Sequence, residues 1–328
     1  MSNQISNIIR SCNNSKDKYN ILTFPTHERY ETQLCKTGHN FYSFMADGMK
    51  KWNTDYAPRP DNYYLLPDNS LYQGIGFDFI LSQSKFGQFQ LAEQINQMLN
   101  LPVVSLEHTV PIPSWPEGQA EGMASMGGDM NVFISEYSKN EWSPPEHYES
   151  TVIHHGVDTD TFCPNESSNT GDHVLSVVND FVNRDYCCNY SGWQRITEGI
   201  KTRLVGETEG LSKAAESVED LVREYNECVV FLNTSTLSPV PTTLLEAMSC
   251  GCAVVSTATC MIPEVIEHGK NGFISNDEAE LTSYIKRLVE DEDLRKEVGA
   301  AARETVVSKF SEAAFVKQWN ILFDEVTK

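Results

Sequence analysis

Residues 237–274 read LSPVPTTLLEAMSCGCAVVSTATCMIPEVIEHGKNGFI. The order is loop, short helix, buried strand, turn, helix, Asn-Gly turn, strand. Ser238, Pro239, Pro241, Thr242 and Thr243 make a loop that opens a helix. Pro241 suits that start, because a proline lacks the N–H that the first helical turn leaves unpaired. Leu244, Leu245, Ala247 and Met248 give the helix an apolar face, and Gly251 ends it. Ala253, Val254 and Val255 form a short apolar run, as expected of a parallel strand covered on both faces. Glu246 is the exception, an acid one turn into a small apolar helix beside a buried strand. The start of such a helix offers unpaired N–H groups and a positive dipole end, which together suit a phosphate.

Outward from this stretch the same alternation continues. Strands are predicted at 174–178, 202–206 and 229–233, and helices at 218–225, 278–289, 293–308 and 311–326. In the last helix Phe315, Trp319, Leu322 and Phe323 recur at helical spacing. Earlier in the chain, strands are predicted at 21–24, 41–44, 77–82, 102–106, 132–135 and 151–154. Helices are expected at 28–36 and 85–99, with a helical turn at 136–141. There is no repeat and no low-complexity tract. Strands alternating with helices define an α/β chain built of two doubly wound, Rossmann-like domains. The expected division is residues 1–157 and 158–310, with 311–328 returning to the first domain.

The motifs in 237–274 resemble the donor-binding region of retaining family-4 glycosyltransferases, which have the GT-B fold of two domains facing a cleft. Glu246-Ala247-Met248, Gly251, Val254-Val255, Pro263-Glu264-Val265-Ile266 and Asn271-Gly272-Phe273 carry the match. His155-Gly156-Val157-Asp158, with Phe162 and Pro164, is similar to the family's interdomain segment. The resemblance implies that Glu246 binds the ribose hydroxyls of a nucleotide sugar. It implies that the first helical turn, Thr242, Thr243 and Leu244, binds the diphosphate. The family has a further Glu against the transferred sugar, and eight residues before Glu246 this chain has Ser238. It also has an Arg followed five residues later by a Lys, both on the donor phosphates. Arg184 stands where that Arg belongs, but Asn189 occupies the Lys position. Arg195 and Lys213 are the substitute cations the sequence offers. His108 follows a strand end where the family often has a sugar-contacting His. Catalytic roles are thus expected of His108, Arg184 and Glu246. The family's glycine-rich acceptor loop is replaced by PTHERYE, so an acceptor contact through Thr26 and His27 is expected.

Composition limits the alternatives. The chain has 328 residues, 40% hydrophobic, and a formal net charge of −21. Lys and Arg are not clustered, so neither nucleic acid nor an anionic membrane is an expected partner. No run approaches the roughly 20 apolar residues that span a bilayer. The polar start MSNQISNIIRSCNNSKDKYN lacks an apolar core segment, so a cytoplasmic location is expected. Nine cysteines without a CxxC pair argue against a zinc site or disulfide framework. Cys250 and Cys252 flank Gly251 at a helix end, where a thiol serves as a small core residue. His154 and His155 are adjacent, and adjacent strand residues point to opposite faces. Asp158-Thr159-Asp160 spells the Asp-x-Asp of metal-dependent glycosyltransferases, yet it falls in the interdomain segment. No metal and no cofactor beyond the nucleotide sugar is expected, because helix N–H groups and basic side chains can neutralise a leaving diphosphate.

The resulting expectation is a metal-independent, retaining hexosyltransferase that moves a sugar from a nucleoside-diphosphate sugar to a glycan or other hydroxyl acceptor. Two rivals remain: a nucleotide-sugar epimerase on the same fold, and a non-catalytic sugar-nucleotide or glycan-binding module.

Overall fold

The protein is described by a computed structural model covering residues 17–49, 51–54, 57–72, 74–112, 114–166, 168, 171–238 and 241–328. Most of the N-terminal stretch that bears on targeting, and Pro239 of the loop before the key helix, lie outside the described residues. The chain divides into two compact units, one of residues up to His154 plus Phe315–Lys328, the other His155–Ala314. Val157 belongs with the second unit because it bridges to Ser311 and its carbonyl accepts from Glu312 N.

The first unit holds strands β1 (Asn20–Thr23), β2 (Asn40–Ser43), β3 (Tyr63–Leu65), β4 (Phe79–Ser82), β5 (Val103–Glu107), β6 (Met130–Phe133) and β7 (Ser150–Val152). They form one parallel sheet in the order β3-β2-β1-β4-β5-β6-β7. Its helices are α1 (Glu28–Cys35), α2 (Gln88–Leu99), α3 (Gln119–Ala124) and α4 (Glu136–Trp142). Every residue of β2, β4 and β5 is buried, polar Asn40, Ser105 and Glu107 included, as expected of parallel strands covered on both faces. The strand order reverses between β1 and β4, and the carboxyl ends of strands at such a reversal are where doubly wound sheets place ligands.

Two sequence expectations are corrected here. Helix α2 begins at Gln88 rather than 85, because Lys85–Gly87 turns and Gly87 takes φ +80. Lys85 is buried on that turn, with its backbone N–H on the Glu107 carboxylate at 3.1 Å. Strand β7 ends at Val152, so His154 lies past it; its Nδ1 is 3.2 Å from Ile134 O.

The second unit holds β8 (Val174–Val177), β9 (Thr202–Val205), β10 (Val230–Asn233), β11 (Val254–Ser256) and β12 (Phe273–Ile274), all parallel in the order β12-β11-β10-β8-β9. Its helices are α5 (Asp185–Cys188), α6 (Tyr190–Ile196), α7 (Val218–Glu227), α8 (Thr242–Ser249), α9 (Ile262–Val265), α10 (Glu278–Glu290) and α11 (Glu292–Lys309). Here the order reverses between β8 and β10. A core of Val230, Leu232, Ala253, Val255, Leu281, Ile285, Leu288 and Val298 joins the sheet to α10 and α11. The last helix, α12 (Glu312–Val326), buries Phe315, Trp319, Leu322 and Phe323, the side chains picked out by its spacing. From Phe315 on, this helix belongs to the first unit, where Phe323 packs against Phe79 and His39 and Phe315 against Tyr30. Among the described residues no helix is long and apolar enough to cross a membrane.

Candidate functional site

In the second unit the loops after β8 and β10 are one hydrogen-bonded piece. The carbonyl of Cys187 accepts from Thr236 N at 2.8 Å and Leu237 N at 3.2 Å. Cys188 O accepts the Thr234 hydroxyl at 3.0 Å. Beneath them Phe181, Cys187, Cys188 and Leu237 pack together with Tyr190 and Trp193. Arg184, at the cap of α5, is thereby placed on the same framework as Ser238, which is half-buried. The Arg184 side chain is exposed, and its Nη1 lies 3.4 Å from Asn179 O. The β10 loop is anchored on its other side too: Ser235 O accepts the hydroxyls of Thr257 and Thr259 at 2.5 and 2.7 Å.

Helix α8 then starts from Pro241, which occupies the cap position. Thr242 and Thr243 form its first turn, so their N–H groups precede the intrahelical ladder and point from the positive dipole end. Leu244 departs from its expected role. Its N–H is committed to Pro241 O at 3.0 Å, and its side chain is fully buried. It belongs to the core, not to a phosphate cradle. Glu246, one turn in, is half-buried, and the Tyr225 hydroxyl donates to its Oε2 at 2.8 Å.

The cation left open by Asn189 is narrowed. Arg195 makes a two-pronged pair with Glu278 at 2.8 and 2.7 Å, on the side where α6 meets α10. That pairing occupies its guanidinium. Lys213 is exposed next to the end of β9, where its carbonyl accepts from Gly206 N at 2.9 Å. Asn189 itself takes φ +59 and caps α6 by accepting from Gly192 N. A left-handed cap favours Asn over Lys, which gives the departure a local reason. Asp158 folds its own turn: its carboxylate accepts from Asp160 N, Thr161 N and the Thr161 hydroxyl at 2.9–3.1 Å.

In the first unit Thr26, His27 and His108 come together at the reversal point of the sheet. The rings of His27 and His108 lie 5.3 Å apart edge to face, and Tyr30 packs on His108 at 4.6 Å. Around them is a polar network that sequence reading missed. Gln83, just past β4, donates to Glu31 at 3.1 Å and Thr23 at 3.2 Å, and its Oε1 lies 3.4 Å from His108 Nε2. Gln88 donates to the Thr26 hydroxyl at 3.0 Å. Glu31 also accepts from the Tyr63 hydroxyl at 2.8 Å. The available signal was a Gln directly after the apolar run FILS, at a strand's carboxyl end.

Burial raises the Glu31 carboxyl from 4.5 to about 7, partly offset by its Tyr63, Thr26 and Gln83 hydrogen bonds. The folded group therefore keeps its proton between about pH 4.5 and 7, while the unfolded one has lost it. The linkage slope is roughly 1.4 kcal/mol per pH unit across that window, so Glu31 contributes a stability loss of about 3 kcal/mol as pH rises. Denaturant melts at pH 4.5 and 8 should show Glu31→Gln flattening this dependence. An unchanged slope in the variant would show that the buried carboxyl does not titrate there.

The fold is that of a GT-B protein, with two Rossmann-like α/β domains. Residues 211–305 match the family described as Glycosyl transferases group 1. Among curated proteins, the chain is 34% identical over 87 residues to N-acetyl-alpha-D-glucosaminyl L-malate synthase of Bacillus anthracis, covering 26% of this chain and 23% of that protein. It is 35% identical over 115 residues to alpha-maltose-1-phosphate synthase of Mycolicibacterium smegmatis, covering 32% and 30%. The matched stretch thus spans less than a third of each relative's length. Among solved structures, Anabaena HepE in complex with UDP superposes with a TM-score of 0.77 at 14% identity, covering 94% of this chain and 100% of that one. The sucrose-phosphate synthase of Thermosynechococcus elongatus gives 0.73 at 14%, covering 94% and 99%. The family match lies within the second unit, and the likenesses to solved structures show the fold.

Proposed function

We propose that the protein is a retaining glycosyltransferase that moves a sugar from a nucleoside-diphosphate sugar to a hydroxyl acceptor without a catalytic metal. The observation that carries this reading is Glu246, one turn inside a helix that opens at the reversal point of the second sheet, with Arg184 on the adjoining loop. A sugar diol suits a carboxylate acceptor, since both hydroxyls can donate to it. The diphosphate would accept from the first-turn N–H groups at Thr242 and Thr243 and from the Arg184 guanidinium. HepE was solved with UDP and with UDP-glucose, which makes a uridine nucleotide the first probe.

In this mechanism the bond from the anomeric carbon to the diphosphate breaks, and the acceptor oxygen bonds to that carbon on the same face. The acceptor proton passes to the departing phosphate oxygen. The protein supplies positioning and charge stabilisation, and no protein nucleophile is needed. Thr26 and His27 are assigned to the acceptor, and His108 to the sugar.

A second reading, a nucleotide-binding module without turnover, is favoured by Ser238 and Asn189, which depart from the family pattern. A transfer assay with a panel of nucleotide sugars, run in excess EDTA, separates the two. Turnover should persist within about twofold of the untreated rate, since helix dipole and guanidinium replace a cation. Activity abolished by EDTA and restored by manganese would return Asp158 and Asp160 to the mechanism. Tight nucleotide binding with no turnover of any donor would support the non-catalytic module.

A further inference from the structure

Tyr225 lies 21 residues before Glu246 in sequence, on the last turn of α7, yet its hydroxyl is 2.8 Å from the Glu246 carboxylate. The residue is 1% exposed. It is fixed at both ends. Its ring packs edge to face on Phe162, with centroids 6.1 Å apart, and in a tilted arrangement on Phe231 at 5.8 Å. Its backbone carbonyl accepts the thiols of Cys228 at 3.2 Å and Cys252 at 3.1 Å. Cys252 leads out of α8 into β11, and Cys228 leads out of α7 into β10. The Cys252 thiol therefore ties the Tyr225 backbone to the segment that follows the helix carrying Glu246, and the Cys228 thiol closes the end of α7.

A buried phenol needs a partner, and a carboxylate facing solvent on one side can turn about its last torsion. The Tyr225 hydroxyl occupies Oε2 and fixes that torsion. The carboxylate plane is then set before a ligand arrives, so its ordering cost is not charged to binding. We infer that Tyr225 is a positioning residue that orients Glu246 for the ribose hydroxyls of the nucleotide. This rests on the reading of Glu246 as the ribose ligand.

The test is calorimetry with UDP, ADP and GDP, followed by the tightest binder against its 2′-deoxy counterpart. Wild type, Tyr225→Phe, Glu246→Gln and the double variant are compared. The wild type should prefer the ribonucleotide by about tenfold or more, the size of a charge-assisted hydrogen bond. Tyr225→Phe keeps the ring packing and should cut that preference to about threefold or less. In the Glu246→Gln background the same change should add nothing, because coupled residues are not additive. 4-Aminophenylalanine at 225 retains a donor and should restore the preference; failure to do so would overturn the proposal. So would a Tyr225→Phe protein that melts earlier yet discriminates like wild type. If Glu246→Gln itself leaves discrimination intact, the ribose reading fails, and the role of Tyr225 falls with it.

Discussion

Glu246→Gln is expected to weaken nucleotide binding by about 1.5–3 kcal/mol, or roughly ten- to a hundredfold in Kd. The substitution keeps the side-chain volume and one acceptor oxygen. It removes the charge that strengthens hydrogen bonds from the ribose, and it puts an amide donor where both hydroxyls also seek to donate. The Tyr225 hydroxyl can still find the remaining carbonyl oxygen, so a large loss of stability is not expected. Glu246 is half-buried in a helix whose opposite side, Leu244, Leu245, Ala247 and Met248, is fully buried. That apolar side holds the helix whatever stands at 246. Calorimetry on the folded variant therefore reads the site and not the fold. An affinity equal to wild type would remove Glu246 from the nucleotide site.

The second large effect is on stability. Gly206, at the end of β9, has φ +124, a conformation that L side chains rarely adopt. A Cβ there would stand 2.1 Å from Val178 O and 2.5 Å from its carbonyl carbon. Both obstacles are backbone, so no rotamer change relieves them. They also belong to the turn that leads to Arg184, which is laced to the Gly206 loop by Asp180 N on Glu207 O at 2.6 Å and Glu207 N on Asn179 Oδ1 at 2.9 Å. Gly206→Ala should cost about 3–5 kcal/mol, combining the backbone penalty with overpacking. It should also weaken nucleotide binding by displacing Arg184. A urea midpoint that gives less than about 1 kcal/mol would show that the two strand ends separate freely.

These cases mark where sequence suffices. Residues 237–274 announced helix, buried strand and turn because proline, apolar spacing and glycine each act locally. The fold followed from that alternation, and helix α12 from four large side chains at helical spacing. What escaped was short or distant. Strand β3, Tyr63–Leu65, is too brief to show a period. Helices α5 and α6 lie in DYCCNYSGWQRI, a segment of aromatic, glycine and asparagine residues with weak helix preference, joined at the left-handed Asn189. Leu244 looked like part of a phosphate cradle, and only the hydrogen bond from its N–H to Pro241 O shows that it is not. Arg195 looked like a spare cation until Glu278, far along the chain, was placed against it. His27 and His108 were each legible at strand ends. Their meeting, and the Gln83–Glu31 network behind them, depend on strand order.

The central claim is sugar transfer with retention from a nucleoside-diphosphate donor. The most direct test is the anomeric configuration of the product, read by proton NMR coupling constants after incubation of the protein with the turned-over donor and an array of hydroxyl acceptors. An α-linked donor should give an α-linked glycoside, with one nucleoside diphosphate released per bond formed. A β-linked product from that donor would contradict the account.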